Sequence, residues 1–186
     1  MRALVVFESM FGNTEKVAGA VAHGLQLEGV DTGLVEVRSA PARLASDVDL
    51  LVVGGPTHAF SMSRAGTRAD AVRQGAAPER ATVGLREWLD QVELEPDHLP
   101  ELATFDTRVT KVRWLPQAAG PSAGRAGRHR GMRLVAKPVG FLVEDLQGPL
   151  LAHEEEHAVT WGRTLATALL DRAALRTSGR DPRPAS

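Results

Sequence analysis

A short loop of hydroxyl and amide side chains near the N-terminus has the composition of an anion site. Ser9, Gly12, Asn13 and Thr14 follow the apolar run 3–7 and precede a stretch of helical periodicity. A helix N-terminus offers unpaired N–H groups and a positive dipole end, so it binds phosphate without a lysine or arginine. Gly12 permits close backbone approach, and the Ser9 and Thr14 hydroxyls can donate to phosphate oxygens. Simple capping of the helix by Asn13 or Thr14 is the alternative explanation.

Other phosphate and metal motifs do not fit the chain. A P-loop needs a second glycine followed by lysine, and the dinucleotide fingerprint needs three glycines, whereas this loop has one glycine and no adjacent lysine. The chain has no cysteine, so thiolate nucleophiles, thiolate metal sites and disulfides are excluded. His153 and His157 match the His-Glu-x-x-His zinc pattern, but they open the last predicted helix on its acidic, solvent-facing side. We therefore expect no zinc site.

The size, charge and apolar content of the chain indicate one domain with one sizeable core. It has 186 residues, 43% hydrophobic and 24% charged, with a formal net charge of -1. We expect a domain over residues 1–176 and a disordered polar tail over 177–186. The balanced charge favours neither nucleic acid nor a membrane surface as a partner, and no stretch is apolar enough to span a bilayer. The first apolar run ends at Glu8, too early for a secretory segment, so we expect a cytoplasmic protein.

Strand-length apolar runs alternate with stretches of helical period, which is typical of βα units around a parallel sheet. Strands are predicted at 3–7, 33–37, 50–53 and 101–105, with two halves of a fifth strand at 134–136 and 141–143. Helices are predicted at 14–28, 82–92 and 154–175. Pro138 and Gly140 interrupt the fifth strand, which indicates an edge position. The long segment 54–81 has no strand pattern, and we expect it to be functional or partly helical.

Three sequence segments together resemble the flavodoxin family. The first is the loop with Ser9, Gly12, Asn13, Thr14 and Glu15 after an N-terminal strand. The second is Gly54-Gly55-Pro56-Thr57-His58, and the third is Pro138-x-Gly140-Phe141-x-Val143 followed by Gly148-Pro149-Leu150. The similarity extends from Arg2 to about Ala174. It implies a flavodoxin-like α/β fold, a doubly wound three-layer sandwich with a five-stranded parallel sheet in the order 2-1-3-4-5.

The resemblance also implies that FMN binds beside the first and third strands. Its phosphate is expected at the loop formed by Ser9, Met10, Phe11, Gly12, Asn13 and Thr14. Its isoalloxazine ring is expected beside Pro56, Thr57, His58, Phe60, Thr104, Phe105 and Asp106. Phe11 replaces the threonine usual in the family, which removes one hydroxyl. Because the chain has no tyrosine, the candidates for stacking on the ring are Phe60, which we slightly favour, and His58, Phe105 and Trp114.

In function, the resemblance implies an FMN-binding redox protein. The sequence leaves open whether the protein transfers electrons to a redox partner protein or uses NAD(P)H to reduce a small acceptor such as a quinone. A flavodoxin-fold interaction module that has lost FMN is the alternative. The sequence assigns neither a catalytic residue nor an oligomeric state.

The stretch between Thr107 and Val143 contains eight lysine or arginine residues and no acid. A solvated surface explains such a run, and so does docking of an acidic partner or capture of a phosphate on a nicotinamide cofactor. Arg64 and Arg68, which follow the third strand, add to the positive charge. Because electron-shuttle flavodoxins are typically acidic, we expect these cations to raise the flavin potential.

Overall fold

The computed structural model describes residues 1–112 and 117–177, which form one parallel sheet between two layers of helices. The strands are β1 (Arg2–Phe7), β2 (Asp31–Glu36), β3 (Leu50–Pro56), β4 (Glu101–Val109), β5 (Arg133–Leu134) and β6 (Val139–Val143). The helices are α1 (Asn13–Leu27), α2 (Ala65–Arg73), α3 (Leu85–Gln91), α4 (Ala119–His129) and α5 (Glu154–Thr177). None of these helices combines the length and the apolar character needed to cross a bilayer.

The strand order is β2-β1-β3-β4-β5, and every pairing between these strands is parallel. Strand β6 also pairs in parallel with β4, along the half of β4 that β5 does not reach. Both halves of the predicted fifth strand therefore lie on the same edge of the sheet, with Pro138 between them. The predicted fold class and strand order are confirmed, with a sixth strand added.

The sheet is buried on both faces, which explains the continuous apolar run that begins the chain. Successive residues of a strand point to opposite faces. Val5 belongs to an apolar cluster that includes Val17 of α1 and Trp161 of α5. Its neighbour Val6 belongs to the other cluster, which includes Leu89 of α3. Each face of the sheet thus has its own apolar core beneath a pair of helices.

Two of the differences from the sequence predictions shape the site. Strand β4 continues to Val109 instead of ending at Phe105, because the polar residues Asp106 and Thr107 are buried and hydrogen bonded. Helix α4 has no counterpart among the predicted elements, since its three glycines lower its helix propensity. A Cβ at Gly120 would lie only 2.8 Å from a carboxylate oxygen of Asp106, so glycine lets α4 pack directly against β4.

The remaining helices agree with the predictions except at their ends. The segment 54–81 contains α2 and a 3₁₀ turn over Pro78–Ala81, so it is partly helical as predicted. Helix α3 begins at Leu85 rather than at residue 82, and α5 continues to Thr177. The rest of the predicted polar tail, residues 178–186, lies outside the described residues.

Helices α1 and α5 pack closely because each contributes a glycine at their contact. A Cβ on Gly24 would overlap the carbonyl oxygen of Val159 and lie 3.0 Å from the backbone nitrogen of Arg163. A Cβ on Gly162 would overlap the carbonyl oxygen of Val21. Because these neighbours are backbone atoms, a side chain at either glycine can be accommodated only if the helices move apart.

We expect Gly24→Ala to lower the free energy of unfolding by about 1 to 3 kcal/mol, because it overpacks this contact. Gly19→Ala is the matched control, since Gly19 also lies inside α1 but a Cβ there would meet no atom within 4 Å. The control is expected to raise the free energy of unfolding by up to ~1 kcal/mol through helix propensity. Urea denaturation measures both changes, and equal changes in the two variants would contradict the assigned contact.

Candidate functional site

A cavity of about 310 Å³ lies at the carboxyl ends of β1 and β3. The strand order reverses here, because the chain builds outward from β1 to β2 on one side and from β3 to β4 on the other. Ligands of open α/β sheets bind at such a point. The predicted site residues that line the cavity are Ser9, Met10, Phe11, Asn13, Thr14, Pro56, Thr57 and His58. The structure therefore brings the loop after β1 and the loop after β3 into one cavity.

The Ser9 side chain holds the loop after β1 in shape. Its Oγ accepts hydrogen bonds from the backbone N–H of Gly12 at 3.1 Å and from that of Glu15 at 3.3 Å. Gly12 has a φ of +89°, a conformation that favours glycine. The side chain of Ser9 thus turns the chain back over itself before α1 begins at Asn13.

The same loop leaves four backbone N–H groups without an acceptor. Those of Asn13 and Thr14 belong to the first turn of α1, which has no carbonyl one turn earlier to receive them. Those of Met10 and Phe11, like the first two, donate to no acceptor in residues 1–112 and 117–177. A Cβ on Gly12 would meet no atom within 4 Å, so open space borders the loop. The loop is a cluster of donors at the positive end of a helix, which suits an anion.

Arg80 clamps this loop from the 3₁₀ turn that follows α2. Its guanidinium donates to the carbonyl oxygen of Ser9 at 3.2 Å and to the carboxylate of Glu15 at 3.0 Å. Both contacts join residues far apart in sequence, so no local pattern predicts them. Arg80 therefore restrains both ends of the loop and adds a positive charge close to it.

Contacts from the other side of the cavity complete the support of the loop. The Thr14 and Thr107 hydroxyls share a buried hydrogen bond of 2.8 Å, which joins the start of α1 to the end of β4. Gly148, in the loop before α5, lies against the amide group of Asn13 with no room for a side chain between them. The N-cap of α1 is Gly12, and the Asn13 and Thr14 side chains make these distant contacts instead of capping their own helix.

Thr104 and Phe105, which were predicted to face the ring, lie inside β4, which is four residues longer than predicted. Both residues are completely buried inside the strand and neither lines the cavity. Phe105 packs edge to face against Phe141 and Trp161, with ring centroids 5.9 and 6.0 Å apart. The cavity is lined instead by the next residues of the strand, Thr107, Arg108 and Val109.

Asp106 does not line the cavity, but it positions two residues that do. Its buried carboxylate accepts two hydrogen bonds of 2.6 Å from the Arg108 guanidinium, a bidentate ion pair. The same carboxylate accepts hydrogen bonds from the Thr57 hydroxyl and from the backbone N–H of Gly120, each at 3.1 Å. Such two-point pairing orients a guanidinium more strictly than a single contact does.

Phe60, the slightly favoured stacking residue, does not line the cavity. His58 and Ser61 exchange two backbone hydrogen bonds, which places Ala59 and Phe60 at the tip of a tight turn with φ of 44° and 65°. The Phe60 side chain is 48% exposed there. Trp114 lies outside the described residues.

Phe11 and His58 are the aromatic side chains that line the cavity in the described part of the chain. The sequence analysis assigned Phe11 only the loss of a hydroxyl, whereas the structure makes its ring part of the cavity wall. Burial lowers the pKa of His58, an effect strengthened by the charge of Arg68 and opposed by a hydrogen bond with the backbone of Thr67. Because its pKa is lowered, the His58 imidazole is neutral near pH 7.

Neither sequence comparison finds a related protein: no family model and no curated protein matches the chain. Solved structures match it in fold. A flavodoxin from the domain Archaea is 16% identical, with a TM-score of 0.63 over 91% of this chain and 99% of that one. A short-chain flavodoxin associated with a non-canonical PDU bacterial microcompartment is 19% identical, with a TM-score of 0.61 over 93% and 99%.

The chain has a flavodoxin-like fold. The same fold occurs within larger proteins, such as the rubredoxin oxygen:oxidoreductase of Desulfovibrio gigas, which is 18% identical with a TM-score of 0.58. The match covers 93% of this chain but 37% of that one. At these identities the likeness concerns the fold, and the chemistry of the site rests on the residues described above.

In this flavodoxin-like fold, the two other features that the sequence analysis raised lie away from the cavity. His153 and His157 each lie beside a glutamate in the first turn of α5, Glu156 and Glu154, at 3.2 and 3.3 Å. No cluster of three metal-ligating side chains occurs in residues 1–112 and 117–177. Arg64 is exposed at the start of α2 and does not line the cavity. The cation that does line it is Arg108.

Glu8, the residue before the loop, is buried with an unsatisfied carboxyl oxygen. Its Oε2 accepts the backbone N–H of Leu85 at 2.8 Å, while Oε1 has no partner in the described part of the chain. Burial raises the pKa of Glu8, against the opposing effects of Ser63, the Leu85 N–H and Arg68. Arg68 itself is buried and forms an ion pair with Glu87 at 3.1 Å, so Glu8 has no cation of its own.

We expect Glu8→Gln to raise the free energy of unfolding at pH 8, because glutamine carries no charge to desolvate at this buried position. In the wild type, the unfolded chain loses the Glu8 proton at a lower pH than the folded chain does. Folding stability therefore falls as pH rises from the ordinary glutamate pKa through the raised one. Glutamine does not titrate, so the advantage of the variant shrinks towards pH 5.

Urea denaturation at pH 5 and at pH 8 measures this difference. The control is Glu155→Gln, because Glu155 is exposed in the first turn of α5 and the structure assigns it no buried partner. An advantage of Glu8→Gln that is equal at both pH values would contradict a raised pKa for Glu8.

Proposed function

We propose that the chain binds FMN in the cavity between the loop after β1 and the ends of β3 and β4, and that it functions in electron transfer. The observation that carries the proposal is the set of four backbone N–H groups, at Met10, Phe11, Asn13 and Thr14, that have no acceptor among the described residues. Unpaired donors near the protein interior are costly unless a ligand or water satisfies them. A phosphate group supplies acceptors and the matching negative charge.

The rest of the cavity suits the ring of a flavin. Its volume of about 310 Å³ lies within the usual range of small-molecule sites, roughly 300 to 1,000 Å³. Phe11 and His58 offer aromatic faces, and Pro56, Val109 and Val143 add apolar surface. Bound FMN supplies one- and two-electron redox chemistry, while the protein supplies binding and orientation. The structural neighbours that are named flavodoxins support the same ligand.

Each supporting residue has a separate task in this proposal. Ser9 keeps the loop open towards the phosphate, and Arg80 ties the loop to the segment after α2. Arg108 places a positive charge at the ring end of the cavity, balanced by Asp106. Arg108, rather than Arg64 or Arg68, carries the positive charge that we expect to influence the flavin potential.

Two measurements separate the functions that this site can serve. Native mass spectrometry of freshly purified protein reports bound FMN, and an interaction module without flavin would show neither bound FMN nor binding on titration. A reductase oxidises NADH or NADPH when a quinone is added, whereas an electron carrier exchanges electrons only with a protein partner.

We expect Gly12→Asp to weaken FMN binding at least about tenfold relative to Gly12→Asn. Both residues tolerate the positive φ at this position and have nearly the same shape, so the pair differs mainly by one negative charge. Ten-fold weaker binding corresponds to about 1.4 kcal/mol, a modest value for a carboxylate near a phosphate. Fluorescence titration of flavin-free protein measures the two dissociation constants.

Riboflavin, which lacks the phosphate, provides the internal control. The two variants are expected to bind riboflavin equally well, because the substitution acts through the phosphate. Equal affinities of the Asp and Asn variants for FMN would place the phosphate elsewhere and overturn the assignment of the loop.

A further inference from the structure

A second cavity, of about 400 Å³, lies between α3 and α4, and its lining includes three arginines and a histidine. These residues are Arg86 of α3, Arg125 and His129 of α4, and Arg130, which follows α4. Asp90 is the acidic residue of this lining. A cavity with this balance of charge attracts an anion.

A chain of hydrogen bonds joins four side chains that line this cavity. Arg86 donates to the Ser61 hydroxyl at 3.0 Å, and the Ser61 hydroxyl donates to that of Ser122 at 3.2 Å. Arg125 donates to the same Ser122 oxygen at 3.1 Å. Ser122 thus accepts two hydrogen bonds, and its own hydrogen is left to donate to a further acceptor.

The guanidinium groups around the cavity retain some donors as well. Arg86 uses its Nε and Nη2 groups on the Ser61 hydroxyl and on the carbonyl oxygens of Met62 and Ser63, which leaves its Nη1. A guanidinium has five N–H groups, and the Arg125 guanidinium uses one of them, on Ser122. Arg130 donates to the carbonyl oxygens of Leu89 and Val92 at the end of α3. None of Arg86, Arg125 and Arg130 forms an ion pair with a carboxylate in residues 1–112 and 117–177.

Ser122 is not arranged as a nucleophile, although residues 120–124 match the Gly-x-Ser-x-Gly pattern of serine hydrolases. That pattern places the serine on a sharp turn between a strand and a helix, next to a histidine base. Here Ser122 lies inside α4, and its described hydrogen-bond partners are Ser61 and Arg125. The arrangement therefore serves binding through donors and not attack on a substrate.

We propose that this cavity is a binding site for a phosphate monoester dianion. Guanidinium groups match the oxygens of phosphate in geometry and charge. The Ser122 hydroxyl adds a neutral donor, linked to Arg125 directly and to Arg86 through Ser61. The site is separate from the flavin cavity and does not depend on flavin binding.

The position of this cavity, beside the proposed flavin site, favours a nucleotide as the source of such a phosphate. Residues 57–59 line the flavin cavity and residues 61–62 line this one, so the two cavities border the same tight turn. A nucleotide electron donor that places a phosphate in this cavity would lie next to the proposed flavin site. This part of the inference rests on the proposed function. The 2′-phosphate of NADPH is a monoester of this kind, and inorganic phosphate is the other source.

Isothermal titration calorimetry at constant ionic strength tests the site with inorganic phosphate, NADPH and NADH. For the ligands that bind, we expect Arg125→Gln to weaken binding at least about tenfold. Arg128→Gln is the matched control, because Arg128 is an exposed arginine of the same helix that does not line this cavity. Ser122→Ala, which leaves the net charge unchanged, is also expected to weaken binding.

NADPH binding more tightly than NADH identifies the 2′-phosphate as the source, while equal affinity of NADPH and inorganic phosphate identifies the free ion; both support the site. The absence of saturable binding by all three ligands overturns the proposal, and so does equal weakening by Arg125→Gln and Arg128→Gln. Flavin content is measured by absorbance in the same preparations. If the protein binds phosphate but holds no flavin, the proposed function is contradicted while this site is supported.

Discussion

The Ser9 hydroxyl makes the interaction on which the candidate site depends. By accepting the N–H groups of Gly12 and Glu15, it closes the loop after β1 and so determines which donors remain. Those that remain, at Met10, Phe11, Asn13 and Thr14, border open space at the start of α1. The candidate anion site is therefore made by backbone donors, and side chains contribute by holding the backbone in place.

The flavodoxin-like sheet provides the rigid support that this loop needs. Arg80 ties the loop to the segment after α2, and the hydrogen bond between Thr14 and Thr107 ties α1 to the end of β4. The buried pair of Asp106 and Arg108 then joins β4 to the turn after β3 through Thr57. Breaking a buried ion pair by removing one partner typically costs several kcal/mol, so this end of the site resists rearrangement.

The parts of the fold and site that local patterns encode could be predicted from the sequence. The apolar strands and the loop 9–14 are examples, because their character is visible within a few residues. The end of β4 could not be predicted, since Asp106 and Thr107 look like loop residues until their buried partners are known. Helix α4 was hidden by its glycines, which gain their value only by packing on β4. Arg80 was hidden because both its partners are distant in sequence.

The central claim is that the backbone donors of the loop bind the phosphate of FMN. The most direct test follows the amide resonances of Met10, Phe11, Asn13 and Thr14 by nuclear magnetic resonance in flavin-free protein, with FMN and with riboflavin. We expect FMN, but not riboflavin, to move these four amide protons downfield, since only FMN offers them charged acceptors. Identical spectra with the two ligands, or changes specific to FMN confined to other residues, would contradict the account.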